Sequence, residues 1–193
     1  MPKPVLYLPC DSIPAGLSFR RTEGRYVPGK VGQGVSYEIN QYSELEIALP
    51  VGAQRRTLAL WARDDRGPIK GSRFHTITYG PIGQGTPFGI MVAEGNWRMF
   101  DNNGGLDSNI TVDRNWHHHA VSYDGTTIRY YFDGTMTAQT DRTLKTASGV
   151  LAMGGLGNPS INFVGVLDEI YVFDVPLHAS QIQTLRRFGE SPN

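Results

Sequence analysis

Apolar and polar residues alternate along the chain in short runs. The clearest run is RTLALWARD at 56–64. Leu58, Leu60 and Ala62 fall on one side of an extended chain, and Thr57, Ala59, Trp61 and Arg63 on the other. The same reading predicts strands at 5–8, 36–40, 45–49, 75–80, 88–94, 97–101, 117–124, 127–133, 151–155 and 165–174. Turn formers separate them: PGKVGQG at 28–34, GPIGQGTP at 80–87, DNNGG at 101–105 and GGLGNP at 154–159. Residues 124 and 125, Asp-Gly, join two strands as a tight turn. Helical spacing occurs once, near the C-terminus, where Ser180 is the expected N-cap of QIQTLRRF with Ile182 and Leu185 on one side. Ten or more strands and one short C-terminal helix predict an all-β jelly-roll sandwich of two antiparallel sheets.

Composition narrows the function. The 193 residues carry 18 basic and 18 acidic side chains, a formal net charge of zero. That balance offers no basic surface for nucleic acid. No apolar run approaches the ~20 residues of a membrane span, so no membrane insertion is expected. The length suits one domain, residues 1–193, with no repeat or linker to divide it. Cys10 is the single cysteine, so no internal disulfide is available. The start, MPKPVLYLPCDS, lacks the features of a secretory signal. Synthesis in the cytoplasm is therefore expected, with a virion or released surface component as the destination to consider.

Two segments are more specific. WHHHAVSYDGTTIRYYFDG runs from Trp116 to Gly134, and FVGVLDEIYVFDVPLHASQIQTL from Phe163 to Leu185. In that order they resemble the laminin-G-like branch of the concanavalin-A-like lectin/glucanase superfamily. That branch shows a Trp-x-His-Val-Ala-x-x-Tyr-Asp-Gly strand and turn, a Tyr-x-Asp-Gly turn, and a closing strand with Asp-Glu before a helical turn. YLPCDS, VPGKVGQGVSY and TLALWARDD resemble its N-terminal half more loosely. Two positions depart: His119 stands where the family has Val, and Gln181 where Glu is common. The resemblance implies a concanavalin-A-like jelly roll. It leaves function open, because this fold hosts lectins, adhesion modules, hydrolases and virion parts.

The histidine run poses a choice. His117 and His119 share a strand face and could both reach one metal, with His75 or Asp133 as a third ligand. The alternative is a sandwich hairpin, with His118 packed as the family's strand histidine and Val121 and Tyr123 in the core. The hairpin is the reading adopted. Trp61 and Trp116 match family strand positions and are assigned to the core. For calcium, the resemblance implies Asp11 and Asp168 as ligands of a structural site. The competing reading has Asp168 and Glu169 capping or salt-bridging a strand end.

Catalytic signatures are missing. Glycosidases of this fold carry Glu-x-Asp-x-x-Glu on one strand, which sets two carboxyls ~5 Å apart for a retaining mechanism. Glu44 and Glu46 share a face but lack the other acids. No nucleophile elbow or phosphate loop is present. The expectation is a non-catalytic module that binds a glycan or polysaccharide. Its candidate contacts are Asn96, Trp97, Arg98, Asp101, Asn102 and Asn103 in one stretch, and Asp64, Arg66, Arg73 and His75 in another. Trp97 serves there as a stacking face, or else packs the sheet as a half-buried strand residue. A virion structural protein is the alternative. It would self-associate or dock on virion proteins, with Arg186, Arg187 and the terminal GESPN as contact elements.

Overall fold

The computed structural model describes every residue except 13–17, 22–23, 82–86, 102, 148 and 190–193; GESPN therefore lies almost wholly outside the described residues, as does Asn102. The strands are β1 (Leu6–Leu8), β2 (Ser18–Arg21), β3 (Arg25–Pro28), β4 (Gln33–Tyr37), β5 (Ser43–Glu46), β6 (Arg56–Asp64), β7 (Arg73–Tyr79) and β8 (Phe88–Ala93). Then follow β9 (Asn96–Phe100), β10 (Leu106–Thr111), β11 (His117–Tyr123), β12 (Thr127–Phe132), β13 (Thr135–Asp141), β14 (Leu151–Met153) and β15 (Gly165–Phe173). The helix, α1, is Ala179–Phe188. One sheet runs β13-β12-β11-β6-β15-β4-β3, with β1 added along β15. The other runs β10-β9-β8-β7-β14-β5-β2. All strand pairings within the named strands are antiparallel.

Alternation decides the core. Leu58, Leu60, Ala62, Val121 and Tyr123 from the first sheet meet Ile77, Tyr79, Phe88, Ile90, Val92 and Met99 from the second in one buried cluster. The opposite face of the first sheet is not left bare. Ala59, Ala120, Tyr131 and Phe173 pack under Leu177, Ile182 and Leu185. The segment before α1 is pinned by Thr57, whose Oγ1 donates to the Val175 carbonyl and accepts from the Leu177 N–H. The helix starts earlier than Ser180 suggests: His178 is the N-cap, and its N–H donates to the Gln181 side-chain oxygen at 2.9 Å. Gln181 thus does the work of the family's Glu, because the bond needs only an amide oxygen.

Four strands escape the alternation pattern. β3 and β13 are sheet-edge strands with polar, largely exposed side chains, and β3 ends in Pro28. β2 and β10 close the edges of the second sheet. An edge strand buries only part of its surface, so no strong period is imposed on it.

Candidate functional site

The histidine strand supplies packing. His119 is buried between the sheets, its Nδ1 2.9 Å from the Tyr130 hydroxyl and its ring 4.2 Å from that of Trp97. His118 points to the other side, edge-on to Trp61, and neither ring nitrogen has a partner among the described residues. It therefore packs, as expected of the strand histidine, with no hydrogen bond from its ring among the described residues. Burial lowers its pKa to about 3. His117 sits at the rim between two carboxylates, Asp133 at 2.8 Å and Asp113 at 3.0 Å. The Asp133 bond holds its pKa above the usual histidine value. No group of three His, Cys, Asp or Glu arranged for a metal occurs among the described residues.

Asp11 and Asp168 do come to one place, but they serve a turn. Asp168 Oδ2 accepts the N–H groups of Lys30 and Val31, and its Oδ1 that of Glu169, at 2.8–2.9 Å. Asp11 Oδ1 accepts the Gln33 N–H at 2.7 Å. Gly32 makes the approach possible: its φ is +53°, and a Cβ there would lie 2.3 Å from Asp11 Oδ1. A calcium ion needs six or more free oxygens. Here Asp168 uses both carboxylate oxygens, and Asp11 its Oδ1, to accept backbone N–H groups, so the pair caps a turn and leaves Asp11 Oδ2 without a partner among the described residues. Burial pushes the Asp168 carboxyl up to about 7, against the pull of those N–H bonds. Glu169, turned outward at a bulge with φ +50°, accepts the hydroxyls of Tyr7 and Tyr171.

The sugar-contact candidates divide into three groups. Trp97 points into the core at 1% exposure, beside His119 and Phe163, so it offers no face for stacking. Its strand neighbours Asn96, Arg98 and Phe100 alternate to the outside. Trp116, assigned to the core, is instead half-buried with Arg63 over its ring. Asp64 and Asp101 are buried turn caps. Asp64 Oδ1 accepts from the N–H groups of Arg66 and Gly67, and burial raises its pKa to about 6. Asp101 accepts from Asn103 and Gly105 and pairs with Arg142. Arg66 lies over the Phe74 ring, and Asn103 is exposed. The two turns lie at opposite ends of the sandwich and form no common site: Asp64 is at the His117 end of β11, whereas Asp101 pairs with Arg142, which bonds Thr126 beyond the Tyr123 end.

The third group comes together. Arg73, His75, Asn96 and Arg98 lie on the outer face of the second sheet. Register puts Arg73, Ala93 and Asn96 in one row and His75, Met91, Arg98 and Asp107 in the next. A further row, Glu44-Ala152-Thr78-Gly89-Phe100, crosses five strands. At strand spacing it spans about 19 Å. Its middle members, Ala152, Thr78 and Gly89, are small and buried, so the row is a shallow trough between the larger Glu44 and Phe100, with its cavity on the Glu44 side. Gly89 is required in its floor, because a Cβ would lie 2.3 Å from the Ile77 carbonyl oxygen. Glu44, Thr78, Ala152, Pro81, Val150 and Leu156 line a cavity of about 330 Å³ there. The buried Thr76 Oγ1, Thr78 Oγ1 and His75 Nδ1 have no partner among the described residues. His75 meets Phe100 edge-on at 4.5 Å, and burial, with Arg73 nearby, lowers its pKa to about 4.

Sequence reasoning found Arg73, His75 and Arg98 but missed the trough. Its small residues carry no chemical signature, and only the register of β5, β14, β7, β8 and β9 assembles them.

Known proteins place the fold. The family model described as concanavalin A-like lectin/glucanases superfamily matches residues 38–183. Domain 4 of AbnA, an extracellular arabinanase from Geobacillus stearothermophilus solved with arabinotriose, aligns with a TM-score of 0.69 at 18% identity, covering 88% of this chain and 87% of that one. The binding domain of Paraclostridial Mosquitocidal Protein 1 gives 0.71 at 14% identity, over 88% of this chain and 47% of that one. The botulinum neurotoxin serotype G binding domain gives 0.74 at 11%, over 98% and 52%. The chain thus spans about half of each toxin domain, and at these identities the likeness is one of fold. No match was found among curated proteins. Sandwich, signature segments and family match agree: the chain belongs to the concanavalin A-like lectin/glucanases superfamily.

Proposed function

We propose that the protein is a non-catalytic carbohydrate-binding module whose glycan lies in the trough on the outer face of the second sheet. The observation that carries this reading is the row Glu44-Ala152-Thr78-Gly89-Phe100. It provides a strip of small side chains, an aromatic edge at one end, and in its floor the Thr78 hydroxyl, buried and without a partner among the described residues. Sugars need those elements: apolar surface for ring faces, and donors and acceptors for hydroxyls. The arabinotriose complex of a like-folded domain and the toxin binding domains support binding as the activity. Among the described residues Glu44 is the one carboxylate lining the cavity. Glycosidic cleavage by acid/base chemistry uses two carboxyls flanking the bond, so the trough favours holding a sugar over cutting it.

The test is calorimetric titration of neutral and acidic oligosaccharides into the purified protein and its Glu44→Gln variant, with product analysis of each mixture. Binding without cleavage, weakened roughly tenfold in the variant as one charged hydrogen bond is lost, is the expected result. Cleavage that disappears with Glu44→Gln would make the protein a hydrolase. Absence of binding across the panel would remove the glycan reading.

A further inference from the structure

Beside the Phe100 end of the row lies a second, smaller cavity of about 100 Å³, lined by Arg73, Met91, Ala93, Arg98, Phe100 and Gly105 among others. Two guanidiniums face this small space. Arg73 is exposed and has no hydrogen-bond or ion-pair partner among the described residues. Arg98 donates through Nη2 to the Gly104 carbonyl at 3.1 Å, and its Nε lies 3.8 Å from Asp107 Oδ2. Its Nη1 has no partner among the described residues. Asp107 is itself engaged by the Asn109 N–H at 2.8 Å and by Asn96 at 3.4 Å. Counting Arg73, Arg98 and Asp107, the pocket keeps one positive charge. The rest of the lining is Met91, Ala93, Met99 and Phe100 with the backbone of Gly104 and Gly105. Its apolar side chains lower the local dielectric and strengthen a charge pairing made beside them. Beneath Phe100, His75 is 6% exposed, and its Nδ1 has no partner.

The surrounding chemistry asks for an anion joined to a polar, ring-shaped body. Guanidiniums match carboxylate and sulfate oxygens through paired N–H bonds, which a lysine would not supply. Small residues in the rows behind leave room for the body to run along the trough. We infer that this pocket takes the anionic group of an acidic glycan, a ring carboxylate or a sulfate ester, and that the protein therefore prefers acidic over neutral glycans. The inference rests on the trough being the glycan site.

The experiment titrates oligogalacturonate and its fully methyl-esterified counterpart, then dextran sulfate and dextran, into the protein and into Arg73→Gln. Arg73 is exposed, so the substitution leaves the fold intact. A charged hydrogen bond corresponds to roughly tenfold in affinity. The expected result is at least that preference for one acidic member over its neutral partner, shrinking at ~0.3 M salt and lost in Arg73→Gln. Whichever pair shows it, uronate or sulfated, identifies the source of the anion. Arg98→Gln, which also opens the contact to Gly104, is expected to lose the same preference. Equal binding of acidic and neutral partners, or a preference that survives both substitutions, would overturn the inference and leave the trough reading standing. No binding by any of the four would overturn both.

Discussion

Replacing Trp97 by Ala separates a core residue from a sugar platform. The indole sits between the sheets, against His119 and Phe163, at 1% exposure. Burying a tryptophan removes about 200 Å² from water. At ~25 cal/mol per Å² that is about 5 kcal/mol, of which alanine retains a small part. A cavity lined by two sheets collapses poorly, so the expected loss is about 4 kcal/mol, within the range for Trp-to-Ala changes in cores. For a domain of this length the melting entropy is about 0.4 kcal/mol per kelvin, which converts the loss to a fall of about 10 °C in Tm. Urea unfolding followed by fluorescence and circular dichroism, with unchanged slope and a lower midpoint, measures it. Trp97→Phe should lose less, because it keeps most of the volume and removes an indole N–H that has no partner among the described residues. A Trp97→Ala protein within ~0.5 kcal/mol of the parent, yet unable to bind glycan, would refute the packing argument and restore the stacking role.

Other outcomes follow from the same geometry. Asp168→Asn should cost about 2–3 kcal/mol in urea unfolding, since an amide cannot accept all three backbone N–H bonds that the carboxylate holds. Millimolar calcium or chelator should leave Tm unchanged, because those oxygens are committed to the turn; a calcium-dependent rise of several degrees would show that a cation does bind. Burial holds His118 neutral down to about pH 3, whereas in the unfolded chain it takes up its proton near pH 6.5. Stability is therefore lost as pH falls through that window, and His118→Leu should reduce the loss between pH 6.5 and 4 by about 3 kcal/mol. Asp168 and Asp64, both raised, act in the opposite sense: they favour the folded state at low pH and lose that contribution as pH rises through about 7 and about 6.

The sequence makes the fold legible wherever both faces of a strand are under constraint. Residues 56–64 read correctly to the residue, because Leu58, Leu60 and Ala62 enter the main core while Ala59 packs under α1. The edge strands β3 and β13 do not, since solvent tolerates either period. Sites were less legible for a related reason. Asp64, Asp101 and Asp168 have the composition of ligand residues, but each is consumed by backbone N–H groups that only the folded turn supplies. The tryptophans show the limit most sharply. Trp97 lies between Asn96 and Arg98 and Trp116 between Asn115 and His117, so both have polar neighbours, and what buries one and leaves the other half-exposed is fixed by partners far away in sequence. The trough depends on register alone, with Ala152 beside Thr78 and Thr78 beside Gly89.

The most direct test of the trough is Thr78→Val, read in two assays on one sample. Thr78 Oγ1 is buried without a partner among the described residues, so exchanging the hydroxyl for a methyl should leave stability unchanged or slightly higher. The glycan that binds best to the parent should bind the variant at least several-fold more weakly, because in the proposed complex the sugar displaces what covers the Thr78 hydroxyl and takes it as a partner. Unchanged affinity at unchanged stability would place the glycan elsewhere on the molecule and contradict the account.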